Sequence, residues 1–278
     1  MRKRLRIALA VLLAAIIGVV TWQALHPREP EPVYQGKGLR VWLSEYQSAW
    51  LSQNGRGREI AESGVRQIGT NAIPTLLNML RRKDPPLASK LIPLWDRSIA
   101  RISHLPAWVR FPSWYRREAA ALNFQALMGF EILRADAREA TPALIEIYDQ
   151  SISPDSEFYA SRALIALGPE ASRRAVPAFL RGAARSNPRT RGYALYALSE
   201  AQGEPSLVVP ALVKALSDTN ANIRGTAAMG LKEVGFAAQP AVPALVKLLS
   251  DPDAQVRRSA ASALMRIDYD AAVKAGLK

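Results

Sequence analysis

Residues 209–231 read VPALVKALSDTNANIRGTAAMGL and residues 242–264 read VPALVKLLSDPDAQVRRSAASAL, one pattern written twice at an offset of thirty-three positions. Units this short cannot enclose a core of their own, so each copy has to bury its apolar side against the next. The matched positions have physical jobs. Pro210 and Pro243 are placed to open a helix, where a missing N–H costs nothing. Leu212, Val213 and Leu216 follow at helical spacing, as do Leu245, Val246, Leu248 and Leu249. A polar turn then ends on Asn220 or Asp253, N-cap residues whose side-chain oxygen accepts an orphan N–H of the next helix. Arg224, Ala227 and Leu231 in one copy, and Arg257, Ala260 and Leu264 in the other, continue that second helix. Each unit reads as helix, turn, helix.

The same template recurs toward the start of the chain. Pro177, Asn187, Arg191, Ala194 and Leu198 fit it, and so do Pro142, Ser153, Ala160 and Leu164, with Glu157 in place of the arginine. Ser113, Arg117, Ala120 and Phe124 give a further match, and Asn54, Arg58, Ala61 and Val65, followed by Pro74, give the first. Caps at 113, 153, 187, 220 and 253 are separated by 40, 34, 33 and 33 residues, which converges on the period of a helix-pair repeat. Small alanines at the crossing points let neighbouring helices approach closely. The expected fold is all-α, a right-handed α-solenoid of helix pairs over residues 39–278.

The pattern breaks at about residues 84–112, a stretch with Pro85, Pro86, Pro93, Pro106 and Pro112. It reads either as a degenerate unit capped by Asp84 or as an insertion on one rim of the solenoid. Trp95, Trp108 and Trp114 fall in or beside it with Arg97, Arg101, His104 and Arg110. Mixed tryptophan and arginine is the composition of contact hot spots, and it equally suits a plug between regular and irregular units.

The first residues read as an address. MRKRLR is a basic start over residues 1–6, and residues 7–25 carry no charge, long enough at about 1.5 Å per residue to span roughly 30 Å of hydrocarbon. With Arg2, Lys3, Arg4 and Arg6 held cytoplasmic, Trp22 becomes an interfacial anchor and the remainder is exported. The expectation is a single-pass protein of the inner or plasma membrane with its solenoid on the periplasmic or extracellular side. A cleaved signal peptide is the alternative, although TWQALHPREP offers no clean A-x-A site. Residues 26–38, rich in proline and glycine, read as a semi-extended spacer.

The strings TNANIRGTAAMGLKEVGFAAQPAVPALVKLLS and DPDAQVRRSAASALMRI resemble the short bacterial HEAT repeats, including those of the phycobilisome-lyase-like group. The resemblance covers residues 139–268, and residues 54–80 less closely. EPVYQGKGLRVWLSEY, at 31–46, is similar to the lead-in of membrane-anchored bacterial HEAT proteins. The resemblance implies a ladder in which an arginine near the start of the second helix pairs with an acidic turn residue of the adjacent repeat. Arg191, Arg224 and Arg257 with Asp218 and Asp251 match that motif; Glu157 departs from it, and the ladder is expected to stop there.

Little in the sequence asks for chemistry. There is no cysteine, which removes disulfides, thiolate zinc sites and cysteine nucleophiles. The two histidines, His26 and His104, have no evident acid partner, and no metal-ligand spacing or dinucleotide fingerprint occurs. No cofactor, metal or small-molecule substrate is implied. The formal charge of +13 is partly spent in the N-terminal segment. Its densest folded portion is residues 171–192, where Arg173, Arg174, Arg181, Arg185, Arg189 and Arg191 occur without an acid. That run is either a solvated face or a patch that recognises an anion. Nucleic acid is disfavoured, because no aromatic-basic alternation marks base stacking. The expected function is a membrane-tethered scaffold whose solenoid binds another protein, an acidic one where the arginines are used, with Arg173, Arg174, Arg181, Arg185, Trp95, Trp108 and Trp114 as candidate contacts. The alternative is a HEAT-like enzyme, of chromophore-lyase or DNA-glycosylase type.

Overall fold

The computed structural model describes residues 31–83, 118–201 and 203–277. The chain enters through a hairpin, β1 (Val33–Tyr34) and β2 (Lys37–Gly38), paired antiparallel. Gln35 and Gly36 both take positive φ, which suits the two-residue turn to the twist of its strands. Part of the expected spacer is therefore ordered. It is held to the first helix, α1 (Leu39–Leu51), by the Trp42 indole N–H donating to the Tyr34 carbonyl at 3.3 Å and by Lys37 on Glu45 at 2.7 Å.

Among the described residues twelve further α-helices follow: α2 (Gly55–Ile68), α3 (Ile73–Leu80), α4 (Glu118–Leu133), α5 (Thr141–Gln150), α6 (Pro154–Ala166), α7 (Pro169–Ala183), α8 (Pro188–Glu200), α9 (Pro205–Ala215), α10 (Ala221–Val234), α11 (Val242–Leu248), α12 (Ala254–Ile267) and α13 (Tyr269–Lys274). Their order in space follows their order in sequence. α4, α6, α8, α10 and α12 lie side by side in one row, the B side, each touching the next. α3, α5, α7 and α9 form the opposite row, the A side, and each packs on its B-side partner. Two rows of helices joined only to their neighbours make a solenoid.

The capping logic holds at atomic detail. Asn54, Ser153, Asn187, Asn220 and Asp253 each accept from a backbone N–H two or three residues on. Ala160, Ala194, Ala227 and Ala260 are wholly buried, and Leu164, Leu198, Leu231 and Leu264 are at most 1% exposed, so these positions form the seam between the rows. One expectation needs correcting. Pro177 and Pro210 do not open their helices but lie inside α7 and α9, which begin at Pro169 and Pro205. In the units of α5 and α11 the corresponding stretches, Arg134–Ala140 and Gly235–Ala241, are 3-10 helix, so the repeated proline there marks the change to α-helix.

α3 packs against α4 although residues 84–117 separate them in sequence. The carbonyls at the end of α3 are satisfied from the B side: the buried Asn123 amide, with its nitrogen toward α3, donates to Met79 O at 2.6 Å, and Ser156 Oγ donates to Leu80 O at 2.6 Å. Trp95, Trp108, Trp114 and both histidines lie outside the described residues.

Among the described residues no helix is long and apolar enough to cross a membrane. The expected placement as a single-pass membrane protein with an exported solenoid therefore does not stand. The apolar segment 7–25 on which it rested lies outside the described residues.

Candidate protein-interaction surface

The polar side chains of the A-to-B turns form a ladder. Arg191 Nε and Nη2 donate to the two Asp218 oxygens at 3.0 and 2.9 Å, and Arg224 repeats the fork on Asp251 at 2.7 and 2.8 Å. The third guanidinium nitrogen turns back to the carbonyls of its own turn: Arg191 Nη1 to Arg185 O and Ser186 O, Arg224 Nη1 to Asp218 O and Thr219 O. Fork and carbonyls together use the planar geometry that lysine lacks. The Arg224 fork lowers the Asp251 carboxyl, against the opposing effect of burial. At Asp218 burial acts upward and is outweighed by the Asn220 N–H and by Arg191, so that its carboxyl also falls below the usual range.

Glu157 does not end this ladder; it reverses a rung. Counted from the N-caps, Glu157 occupies the position of Arg191 and Arg224, and Arg185 the position of Asp218 and Asp251. Arg185 Nη1 meets Glu157 Oε2 at 2.6 Å, while Arg185 Nη2 donates to Tyr148 O at 3.2 Å and its guanidinium lies 5.0 Å from the Tyr148 ring centre. The glutamate side chain is 4% exposed, so the pair belongs to the interior of the stack.

The arginines of residues 171–192 therefore part company. Arg185 and Arg191 are rungs. Arg181, exposed, holds Asp149 at 2.5 Å across the A side, and Arg189 holds Asp155 at 2.8 Å on the B side. Arg173 and Arg174 project from α7 into solvent and meet no carboxylate among the described residues.

The surface best furnished for recognition lies elsewhere, along the outer faces of α4, α6, α8 and α10. Phe124 approaches Tyr159 at 6.0 Å between ring centres, Tyr159 approaches Phe158 at 5.2 Å, and Phe158 approaches Tyr193 at 4.6 Å, an aromatic row across three consecutive B-side helices. Tyr196 adds a ring that is 41% exposed. Beside the row runs a groove of about 810 Å³, continued on α10 by Asn222, Ile223 and Thr226.

Two arginines hold these rings in place. Arg162 lies over Tyr196, donates to its hydroxyl at 3.2 Å and pairs with Glu200 at 2.7 Å, while the Tyr196 hydroxyl itself donates to Glu200. That bond and partial burial push the Tyr196 phenol up. Arg189 Nε donates to the Tyr193 hydroxyl at 2.7 Å. Side chains fixed in this way lose little freedom when a partner binds, and tyrosine and arginine dominate protein contact energies.

Aligning the units on their N-caps shows where the sequence carried this site. The second, sixth and ninth residues after the cap are Asp155, Tyr159 and Arg162 on α6, Arg189, Tyr193 and Tyr196 on α8, and Asn222, Thr226 and Met229 on α10. These positions share one helical face. They vary between units, and a search for recurring residues passes over them.

Fold and surface together define a helical-repeat protein with a continuous side-chain face on its B side. Residues 209–275, from within α9 to the end of the stack, match the family of HEAT repeats. No curated protein matches the chain. Among solved structures it is similar to an engineered protein at 16% identity, with 86% of this chain and 98% of that one covered and a TM-score of 0.44. A second engineered protein gives 20% identity, 87% and 62% coverage and a TM-score of 0.42. A designed armadillo repeat protein in complex with the peptide (KR)4 gives 16% identity, 86% and 99% coverage and a TM-score of 0.43.

Proposed function

We propose that this chain is a scaffold that binds another protein through the B-side groove. The observation that carries this reading is the aromatic row from Phe124 to Tyr193, with Tyr196 exposed beside it and arginines bracing the hydroxyls. The stacked helices supply a rigid platform, so binding energy is not consumed in ordering the receptor. Residues at about 84–112 are in this reading an insertion, since α3 and α4 on either side pack on each other. Trp95 and Trp108 in that stretch, with Trp114 beside it, are additional contacts for the same partner. Arg173 and Arg174 on α7 support a second, acidic contact on the A side, because no carboxylate among the described residues engages them.

A photocrosslinking residue placed at Tyr196, and separately at Arg173, identifies the partner and the face together. Capture from the Tyr196 position is expected, with weaker capture at Arg173 from the second contact. With the purified partner, Tyr196→Ala should weaken binding at least about tenfold, the effect of losing one hot-spot side chain. Wild-type affinity in a Tyr193→Ala/Tyr196→Ala double variant would remove the groove from consideration. A loss confined to Arg173→Glu/Arg174→Glu would transfer the site to the A side.

A further inference from the structure

With the B-side groove read as the protein-binding face, its chemistry narrows what it can hold. Arg162 and Arg189 line it, and among the described residues no carboxylate does. Both arginines are nonetheless neutralised from beside it, Arg162 by Glu200 at 2.7 Å and Arg189 by Asp155 at 2.8 Å. Each also lies over a ring, Arg162 at 5.6 Å from the Tyr196 centre and Arg189 at 5.5 Å from that of Tyr193. A basic side chain of the partner would meet rings whose cation is already in place, with no acid in the groove to receive it. An acidic one would have to draw an arginine away from its own carboxylate. Charge complementarity therefore calls for an uncharged segment.

The hydrogen-bonding groups narrow the choice further. Tyr193 Oη accepts from Arg189 and keeps its own proton to give, and the exposed Asn222 side-chain amide has no partner among the described residues. Asn220 Oδ1, by contrast, is taken by the Asn222 backbone N–H. Donors face the partner with few acceptors beside them. An ordinary extended segment would bury N–H groups here without partners, whereas proline has no N–H to bury and the carbonyls of its segment accept. Gly192 and buried Ile223 give the groove an apolar lining, so close that a Cβ on Gly192 would stand 3.3 Å from Ile223 Cδ1. A polyproline II turn of three residues advances about 9 Å and packed helices stand about 8–10 Å apart, so every third residue of such a segment meets the next B-side helix.

We infer that the groove binds an uncharged, proline-rich segment of the partner in the polyproline II conformation, laid across α6, α8 and α10. Its apolar side chains lie on Phe158, Tyr193 and Tyr196, and its carbonyls accept from Tyr193 Oη and Asn222 Nδ2. Such a segment is already extended before it binds, as the braced rings are already placed, so neither side loses much freedom.

The test uses the full chain and acetyl-Leu-Pro-Pro-Leu-Pro-Pro-Leu-Pro-Pro-amide, followed in NMR at the Tyr193 and Tyr196 rings and the Asn222 side-chain amide. All three should shift together and saturably. Peptides with lysine or glutamate at the central leucine, and one with serine at every proline, should each bind at least about tenfold more weakly. Tyr193→Phe, which keeps the ring and removes the donor, should weaken the proline peptide about fivefold, the effect of one hydrogen bond, while leaving thermal unfolding close to wild type. No saturable shift, equal binding of the serine or charged peptides, or unchanged binding by Tyr193→Phe would each overturn the inference. The photocrosslink at Tyr196 separates this failure from that of the groove itself. A partner captured there through a segment without proline would overturn the polyproline ligand and leave the groove as the binding face, whereas capture at Arg173 alone would remove both.

Discussion

Between α6 and the turn before α8 a buried glutamate faces an arginine, whereas one unit later an arginine of α8 faces an aspartate in the turn before α10. The two rungs occupy the same positions and carry opposite signs. In both, a guanidinium finishes on carbonyls at the end of an A-side helix or in the turn after it: Arg185 on Tyr148 O, Arg191 on Arg185 O and Ser186 O. What the stack requires at this point is thus one arginine to satisfy those carbonyls and one carboxylate to neutralise it. Which strut supplies which is open, because the two struts are close enough for either to reach.

Three measurements break or sharpen this comparison. The largest effect belongs to the ordinary rung. Arg224→Ala leaves the Asp251 carboxylate, 5% exposed, without its fork, and should lower unfolding free energy by about 3 kcal/mol in urea titrations. A loss below about 1 kcal/mol would mean that water reaches the site and that the rungs are ornamental. Next comes the reversed rung. Glu157→Arg opposes two guanidiniums and should cost about 2 kcal/mol, and adding Arg185→Asp should recover all but about 1 kcal/mol of it by rebuilding the pattern of the later units. Failure of the double variant to recover would show that the sign of this rung is fixed by its setting over Tyr148. The smallest effect is expected at Arg181, exposed beside Asp149: Arg181→Ala should change stability by no more than about 0.5 kcal/mol, which separates a solvent-screened pair from a rung.

The sequence disclosed those parts of the fold that every unit must repeat. N-caps, seam alanines and leucines recur because each copy solves the same packing problem, and those counted from Asn54, Ser153, Asn187, Asn220 and Asp253 sit where the template put them. Ser113 and Arg117 lie outside the described residues, and Ala120 and Phe124, expected at the seam, are only half-buried, Phe124 standing in the outward aromatic row. It was less informative wherever a unit departs from its neighbours. The reversed rung was hidden because Glu157 reads as a mismatch until its distant partner is known to be Arg185. The six-arginine run read as one solvated face or one anion-recognising patch, yet helical spacing and turns send those side chains to four separate settings. The aromatic groove was hidden for a related reason: Tyr159, Tyr193 and Tyr196 occupy variable outward positions, and only the lateral packing of B-side helices brings them into one row. The hairpin at 33–38 escaped notice because a two-residue turn can be built from Gln35 and Gly36 as well as from the more familiar asparagine and glycine.

The pairing of α3 with α4 has a consequence for how this molecule can change. Asn123 on α4 and Ser156 on α6 both donate to carbonyls at the end of α3. A swing of α1–α3 away from the later units would therefore have to break both hydrogen bonds at once, which couples the first helices to the rest of the stack.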